Sequence, residues 1–326
     1  MSGSVERIAS ALLYEGYMLY PYRPSAVKNR QRFNFGVLWP ERCVSPDQDG
    51  TDRAYLQTEC LLEGDGRTGI TVTIRFLQLV ERVTIRDTAE SWQEAVERSV
   101  TLDSTIADLV AAPRSNNFAA TAGVQAGSAD EAGSTPGVVV RRQQTLAGTM
   151  EVSAVPCGAG LFRLRVRVTN QSEPPYDQAK SRDAGLLRSL VSTHAILTAR
   201  DGRFVSLIDP PPALADAAAQ CHNDGVWPVL VGDEGQRDTM LASPIILYDY
   251  PAIAPESAGD LFDGTEIDEI LSLRIMTLTD AEKQEVRRSD ERARRLLERT
   301  ESLSAEDWMR LHGVLRQPEA LQEERS

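Results

Sequence analysis

Strict alternation of apolar and polar side chains constrains the fold of this chain most. Between residues 162 and 168 every odd position is arginine, and the even positions are phenylalanine, leucine and valine. The same period of two runs through residues 70–76, where threonine and arginine alternate with large apolar residues. Successive side chains of a strand point to opposite faces of its sheet, so both stretches predict strands with one buried face. The apolar phase then shifts to Leu77 and Leu79, which predicts a β-bulge.

Shorter apolar runs predict the remaining strands, at 32–39, 55–62, 138–143, 149–155, 194–199, 204–208, 229–231 and 245–248. The last two runs are continuously apolar, which is typical of interior strands. Asp201-Gly202 separates the runs 194–199 and 204–208, and this dipeptide predicts a hairpin with a type I′ turn.

Helices are predicted at both ends of the chain and before residue 112. Ile8, Leu12 and Leu19 share one side of a first helix, which Pro21 ends. Residues 89–111 are predicted to be helical. At the carboxy-terminal end, the pairs Thr265/Asp268, Thr279/Glu282 and Ser304/Asp307 have the spacing of capping boxes.

Residues 112–137 differ in composition from the rest of the chain. Ala, Gly, Ser, Thr and Asn dominate, and Phe118 and Val124 are the large apolar side chains. So little apolar area does not offset the entropy lost when a backbone is ordered, so this segment is predicted to be a flexible linker or long loop.

These elements predict an α+β protein that is predominantly antiparallel β, with a β-sandwich-like core, an N-terminal helix and a C-terminal helical extension. Residues 1–111 supply the first strands and a basic-aromatic segment. Residues 138–263 are expected to complete the same core after the linker at 112–137. Helices follow at 264–316, and 317–326 form a tail.

Charge and cysteine content limit the partners and the compartment. The formal net charge of −13 repels phosphate backbones and anionic lipid, so we expect neither nucleic acid nor membrane insertion. Glu6 and Arg7 stand where a signal peptide requires an apolar run. The four cysteines, at 43, 60, 157 and 221, form no C-x-x-C pair and are expected to be reduced thiols. We therefore predict a cytoplasmic protein.

A basic-aromatic segment between residues 14 and 36 is the first candidate site. It combines rings and cations, and no acid occurs between Glu15 and Glu41. Guanidinium groups and rings bind carboxylates, phosphates or an acidic protein surface, although the same groups also serve as an internal clamp on the chain's own acids. The candidate binding residues are Tyr20, Tyr22, Arg23, Lys28, Arg30, Arg32 and Phe33.

An acidic stretch at 249–269 is the second candidate. It holds seven carboxylates and no cation, and Asp260, Asp263 and Glu266 are its candidate binding residues. Oxygen ligands suit calcium or magnesium, but the spacing does not match an EF-hand loop. Helix capping and surface charge explain such acids without a metal, so no metal site is predicted.

Three further motifs have a structural and a functional interpretation. Cys221 and His222 are adjacent, but zinc requires more ligands at recognisable spacing, and catalytic Cys-His pairs meet through the fold. Residues 232–235, Gly-Asp-Glu-Gly, lack the lysine of a phosphate-binding loop and are predicted to form a tight turn. The arginine row at 163, 165 and 167 is expected to be an ordinary exposed strand face.

Two long stretches carry a resemblance to a known group of proteins. They are LYEGYMLYPYRPSAVKNRQRFNFG at 13–36 and WPVLVGDEGQRDTMLASPIILYDYPAIAPESAGDLFDGTEIDEIL at 227–271. Both resemble uncharacterised bacterial proteins encoded beside nickel–iron hydrogenase genes, especially those of the actinobacterial, oxygen-tolerant kind. The resemblance implies a hydrogenase-associated accessory or assembly role, and it assigns no functional residue.

The sequence contains no catalytic motif of good specificity. We therefore predict a non-catalytic accessory protein without a cofactor, which docks onto hydrogenase subunits or maturation proteins. One alternative is a metal-assisted enzyme whose site lies near the acidic stretch at 249–269 and His222. Another is a nickel or iron carrier, for which three histidines and four dispersed cysteines offer few soft ligands.

Overall fold

A computed structural model describes residues 3–17, 22–23, 26, 29, 32, 35–44, 52–85, 89–128, 137–175, 182–253, 268–289 and 291–311. The chain divides into two units. A sandwich unit comprises Met1–Glu15 and Phe33–Ala252, and a helical unit comprises Gly16–Arg32 and Ile253–Ser326.

The strands, in chain order, are β1 (Tyr55–Glu63), β2 (Gly69–Ile85), β3 (Ala89–Thr105), β4 (Arg114–Ala120), β5 (Gly123–Ser128), β6 (Val138–Gln143), β7 (Leu146–Gly158), β8 (Leu161–Asn170), β9 (Val191–Arg200), β10 (Arg203–Phe204), β11 (Trp227–Leu230) and β12 (Thr239–Ser243). The helices are α1 (Gly3–Tyr14), α2 (Ile106–Ala111), α3 (Arg182–Leu186), α4 (Ala215–Ala219), α5 (Asp268–Met276), α6 (Asp280–Ser289), α7 (Glu291–Glu301) and α8 (Ala305–Leu311). Short 3-10 turns lie at Glu41–Cys43 and Pro212–Leu214.

Two antiparallel sheets form the sandwich unit. The described strands of one sheet run in the order β10-β1-β8-β7-β4, and those of the other in the order β11-β12-β9-β2-β6-β5, with β3 on β2. Side chains from both sheets meet in one buried cluster that includes Leu62, Val72, Leu164 and Leu197. The α+β, mainly antiparallel fold with a sandwich-like core is therefore confirmed.

Alternation along the strands separates the core from the outer face of the seven-stranded sheet. Ala195 and Leu197 of β9 enter the core between the sheets, whereas Ile196 packs with Val5 and Ile8 of α1. The predicted first helix is thus confirmed, although it ends at Tyr14 rather than at Pro21, and Leu19 lies outside the described residues. The helix covers the outside of this sheet. The bulge is also confirmed, because the β2–β9 register shifts between Arg75 and Leu77.

The predicted helix at 89–111 is wrong over most of its length. Residues 89–105 form β3, which pairs with β2 in unbroken register, and α2 supplies the helical remainder. Glu and Ala in this stretch favour a helix in isolation, but seventeen paired residues in β3 outweigh that weak local preference.

The segment predicted as a linker holds two strands in its described part. β4 pairs with β7, and β5 pairs with β6. The Phe118 ring lies 5.6 Å from that of Phe76, centroid to centroid, and packs against the core. Main-chain pairing and this one ring order β4 despite its low apolar content. Strands before and after this segment share both sheets, since β1 pairs with β8 and β2 with β9.

The predicted hairpin around Asp201-Gly202 is a crossover instead. β9 pairs with β2 and β12, whereas β10 pairs with β1 of the other sheet. Asp201 has a φ of 61°, the left-handed conformation that turns the chain from one sheet to the other.

Candidate functional site

The basic-aromatic segment is described at three of its predicted binding residues, all in the helical unit. Tyr22 is completely buried. Arg32 is also buried, and its Nη1 donates a hydrogen bond to the Tyr17 carbonyl oxygen at 3.1 Å. Its guanidinium carbon lies 5.7 Å from the centre of the Tyr17 ring. Tyr22 and Arg32 thus contribute to the packing of this unit.

Arg23 bonds acids of the helical unit itself. Its Nη1 lies 3.1 Å from Glu282 Oε1 and 3.8 Å from Glu285 Oε2, both on α6. The backbone N–H of Thr279 is the main cause that lowers the pKa of Glu282, followed by the Thr279 hydroxyl, and Arg23 adds to the effect. The capping boxes Thr279/Glu282 and Ser304/Asp307 are confirmed. Among the described residues, the acids that pair with Arg23 therefore lie on α6.

The other predicted binding residues lie outside the described part of the chain. They are Tyr20, Lys28, Arg30, Phe33, Asp260, Asp263 and Glu266. Their binding role stays a prediction.

Cys221 and His222 belong to a segment that is bonded along β1. The His222 backbone N–H donates to Glu59 Oε2, and Asn223 Oδ1 accepts from Thr58 Oγ1 and from the Glu59 backbone N–H. Burial, reinforced by the Glu59 carboxylate, raises the pKa of Cys221 to about 11. A thiol with so high a pKa is almost entirely protonated at neutral pH, so Cys221 has the properties of a structural residue. All four cysteines are free.

The arginine row on β8 is paired within its own sheet. Arg165 Nη2 lies 3.3 Å from Glu151 Oε1, Arg163 Nε lies 3.7 Å from Glu59 Oε2, and the Arg167 guanidinium carbon lies 3.6 Å from the centre of the Tyr55 ring. The row thus belongs to a charge ladder on the outer face of the five-stranded sheet. The predicted tight turn at 232–235 is also confirmed, with Gly232 at φ 118° and Gly235 at φ 86°.

An open depression of about 730 Å³ lies where β9 crosses to β10. Charges of both signs line it, among them Glu63, Arg200, Arg203 and Asp238. Arg237 bonds Glu63 at 2.8 Å, beside this depression. With Asp201, three acids and two arginines line the depression and Arg237 lies beside it, so neither sign of charge dominates there.

An exposed apolar surface, which the sequence patterns do not indicate, lies at the β11 edge of the seven-stranded sheet. Ile246 is 72 % exposed, Tyr248 84 % and Trp227 45 %. Residues 245–248 were predicted to be an interior strand, and that prediction is wrong: they form an irregular segment that follows β12. We call Trp227, Ile246 and Tyr248 the β11-edge surface.

Hydrogen bonds place this irregular segment beside β11. Its start lies next to Trp227, because Ser243 of β12 pairs with that residue. Ser243 Oγ donates to the Ile245 carbonyl oxygen at 2.6 Å. At its end, the Tyr250 backbone N–H donates to the Leu230 carbonyl oxygen at 2.7 Å. The segment thus runs along β11 from Trp227 to Leu230.

Buried side chains fix the same segment from below. Leu247, between the two exposed residues, packs against the cluster that contains Val229 and Leu241. The Tyr250 hydroxyl donates to the Gln236 carbonyl oxygen at 2.9 Å. Ile246 and Tyr248 therefore project into solvent from a backbone that is held at both ends and in the middle. This combination of order and apolar exposure is typical of a binding surface.

Among the acids of the stretch at 249–269, Asp249 is the one whose side-chain contacts the structure describes. Both of its carboxylate oxygens accept hydrogen bonds, Oδ1 from the Leu230 backbone N–H and Oδ2 from Ser206 Oγ. Its role in the described structure is to anchor the segment that carries Ile246 and Tyr248.

The described residues offer neither a metal-binding cluster nor a helix suited to crossing a membrane. They contain no group of three or more His, Cys, Asp or Glu side chains arranged to hold a metal ion. No helix in the described ranges combines the length and the apolar character that a membrane crossing requires. No family model matches the chain, and no curated protein is similar enough to count as a relative.

Proposed function

We propose that this chain is a non-catalytic accessory protein that docks onto another protein through the β11-edge surface. The observation that carries the proposal is the exposure of Ile246 and Tyr248, 72 % and 84 %, on a hydrogen-bonded segment. Adjacent apolar side chains of this size in contact with water raise the free energy of the unbound protein, and a partner that covers them removes that cost.

The fixed backbone makes such a surface efficient in binding. A loop that is already ordered loses little conformational entropy on association, so most of the energy gained by burying its side chains appears as affinity. Tyr and Trp are enriched among the residues that dominate interface energies, and the β11-edge surface contains one of each. Its small size fits a transient assembly contact.

The acids around this surface indicate the charge of the partner. Asp233 and Glu234 lie in the loop between β11 and β12, and the Tyr250 hydroxyl contacts this loop at Gln236. The whole chain carries a net charge of −13. We therefore expect the partner to present an apolar pocket with a basic rim, because opposite charges accelerate encounter and select the partner.

The resemblance of residues 13–36 and 227–271 to proteins encoded beside nickel–iron hydrogenase genes supports a choice of partner. Trp227, Ile246 and Tyr248 all lie within the second stretch. We propose that the partner is a hydrogenase subunit or a hydrogenase maturation protein, and that the chain assists assembly rather than catalysis.

Co-purification tests this proposal. A tagged chain would be isolated from cells that produce the hydrogenase, and hydrogenase and maturation subunits would be quantified in the eluate. We expect the double variant Ile246→Ser/Tyr248→Ser to retain at least tenfold less partner than the unchanged chain, which corresponds to about 1.4 kcal/mol or more of binding free energy. The matched control is Val155→Ser, since Val155 is 51 % exposed on β7 of the other sheet.

Two results would overturn the proposal. One is a preparation of the unchanged chain that contains no hydrogenase or maturation subunit. The other is a double variant that folds and retains as much partner as Val155→Ser does.

A further inference from the structure

Two arginines at the crossover from β9 to β10 differ from the other arginines of the described strands. Arg200 ends β9, Arg203 begins β10, and both line the depression of about 730 Å³. Neither guanidinium has a hydrogen bond, an ion pair or a ring contact with a described residue. Every other arginine on a described strand has such a partner, as Arg75 and Arg165 illustrate. The described fold therefore leaves two cations without a partner at one place.

The pairing of Glu63 explains why Arg203 has no acid. Glu63 lies directly opposite Arg203 in the β1–β10 register, and cross-strand neighbours of opposite charge normally attract each other. The Glu63 carboxylate is instead bound by Arg237 Nη2 at 2.8 Å. Arg237 is held there, because its Nε donates to the Phe204 carbonyl oxygen at 2.8 Å. The Arg203 guanidinium thus remains available to a ligand.

Gly69 of β2 sets the position of Arg200, with which it pairs. A Cβ at position 69 would lie 3.0 Å from Arg200 Nη2 and 3.4 Å from Arg200 Nε. The glycine therefore leaves the space in which the guanidinium lies against the β2 backbone. A guanidinium held in this way loses less freedom when it binds a ligand, and its planar fork matches the two oxygens of a carboxylate.

The two glycines that line the depression, Gly64 and Gly202, pack onto Thr68. A Cβ at Gly202 would lie 2.6 Å from Thr68 Cγ2. The Thr68 hydroxyl is fixed in turn, since it donates to the Asp201 carbonyl oxygen and accepts from the Asp65 backbone N–H, both at 3.0 Å. Close packing beneath the depression therefore fixes its shape.

Two acids of the depression also have acceptor capacity to spare. The Asp201 carboxylate has no partner among the described residues. Asp238 Oδ1 accepts a hydrogen bond from Thr239 Oγ1, which uses one of the several acceptor sites of a carboxylate. Asp238 lies beside the end of β9, because its carbonyl oxygen accepts from the Ala199 N–H at 2.8 Å. With Glu63 neutralised by Arg237, two charges of each sign remain.

We propose that this depression is a binding site for a zwitterion, with its carboxylate on Arg200 and Arg203 and its ammonium group on Asp201 and Asp238. The ligand class is an amino acid or a short peptide with both termini free. A ligand of one sign gains from one pair of side chains and is repelled by the other, whereas a zwitterion gains from both.

Size and exposure set the expected affinity. The volume of about 730 Å³ falls within the roughly 300–1,000 Å³ of small-molecule sites. The depression is open, so water competes for the same charges and little apolar area is buried. We therefore expect a dissociation constant on the order of 1 mM.

Saturation-transfer difference NMR on the full chain tests the ligand class. The probes are glycine, glycylglycine and triglycine, in which the two charges lie progressively further apart. N-acetylglycine keeps the carboxylate alone, and glycinamide keeps the ammonium group alone. We expect at least one of the three zwitterions to bind saturably, and both single-charge analogues to bind about tenfold or more weakly than it. The preferred zwitterion distinguishes a free amino acid from a peptide as the source.

Two variants test the assigned side chains. Arg203→Gln and Asp201→Asn should each weaken binding of the preferred zwitterion by about fivefold or more. Asparagine tolerates the left-handed conformation at position 201, where φ is 61°, so the crossover is retained, and circular dichroism checks the fold. Arg142→Gln is the matched control, because Arg142 is an arginine on β6 with a side chain that is 53 % exposed. It changes the net charge equally and should bind like the unchanged chain.

Asp201→Asn also separates a zwitterion site from an anion site, because removal of an acid would strengthen binding to an anion site. Three results would overturn the inference. They are no saturable binding of any of the three zwitterions up to about 10 mM, ten times the expected constant, a single-charge analogue that binds as tightly, and a variant at 201 or 203 that binds like Arg142→Gln. Because the test uses the purified chain alone, its outcome does not depend on the proposed hydrogenase partner.

Discussion

The carboxylate of Asp249 accepts a 2.8 Å hydrogen bond from the backbone N–H of Leu230. Leu230 is buried at the end of β11, whereas Tyr248, the residue before Asp249, is the most exposed member of the β11-edge surface. The bond thus joins the core of the sandwich to the surface proposed for docking. Ser206 Oγ donates to the other oxygen of Asp249 at 2.5 Å and holds the carboxylate in place.

Replacement of Asp249 by alanine tests this anchor. The change leaves the buried Leu230 N–H without its acceptor, and we expect the free energy of unfolding to fall by about 1–3 kcal/mol. It also frees the segment that carries Ile246 and Tyr248, so partner retention should fall as well. Urea unfolding measures the first effect and the co-purification assay the second. Asp233→Ala, at an exposed position in the loop after β11, should change stability by less than about 0.5 kcal/mol.

Arg75 links α1 to the outer face of the seven-stranded sheet. Its side chain is 9 % exposed, with Nη1 2.8 Å from Glu6 Oε1 and Nη2 3.3 Å from Glu97 Oε2. Arg75→Ala removes both contacts and leaves a gap under α1, so we expect a loss of about 2 kcal/mol in urea unfolding. Arg114→Ala removes an ion pair between half-exposed side chains, with Asp108 at 3.4 Å, and should cost less than about 0.5 kcal/mol. Equal losses for the two variants would contradict the role given to Arg75.

Local sequence patterns predicted the strands in which buried and exposed side chains alternate with a period of two. The alternation at 70–76 and 162–168 reflects the two faces of β2 and β8 directly, and the capping residues mark α6 and α8. Residues 89–105 could not be recognised as a strand from their own composition. β3 is formed because β2 offers seventeen backbone partners in register, and this is a tertiary effect.

The β11-edge surface could not be predicted for a related reason. The run Ile245-Ile246-Leu247-Tyr248 is continuously apolar, and a continuous run predicts a buried strand. Whether such a run is buried depends on the elements that cover it, which no local pattern encodes. One local signal was available: Pro244 cannot donate a hydrogen bond to a neighbouring strand, and it directly precedes this run.

His194 makes stability depend on pH. It is completely buried on β9, and its Nδ1 lies 3.0 Å from the Ser192 carbonyl oxygen. Burial is the main cause that lowers the pKa of His194 to about 4, and nearby Arg75 lowers it further, against the hydrogen bond to Ser192. The folded state therefore takes up its proton at lower pH than the unfolded state does. The stability that the neutral, buried His194 contributes is fully present above about pH 6.5 and is lost as the pH falls toward 4.

The His194→Asn variant tests this dependence. Asparagine can donate to the Ser192 carbonyl oxygen, but it does not titrate. Between pH 7 and pH 5 the unchanged chain should lose about 2 kcal/mol more unfolding free energy than the variant. Urea unfolding at several pH values measures the difference, and parallel profiles for the two proteins would contradict the assignment.

Phe118 and Gly148 are paired across β4 and β7, and they test whether one ring orders the segment that looks like a linker. A Cβ at position 148 would overlap the Phe118 ring and lie 2.9 Å from the Thr169 carbonyl oxygen. We expect Gly148→Ala to cost about 1–3 kcal/mol, because the ring must move away from the core. In a Phe118→Ala background the same glycine substitution should cost at least about 1 kcal/mol less, since the clash with the ring is gone. Urea unfolding of the four proteins gives this coupling energy, and strictly additive losses would show that the ring does not hold β4 against Gly148.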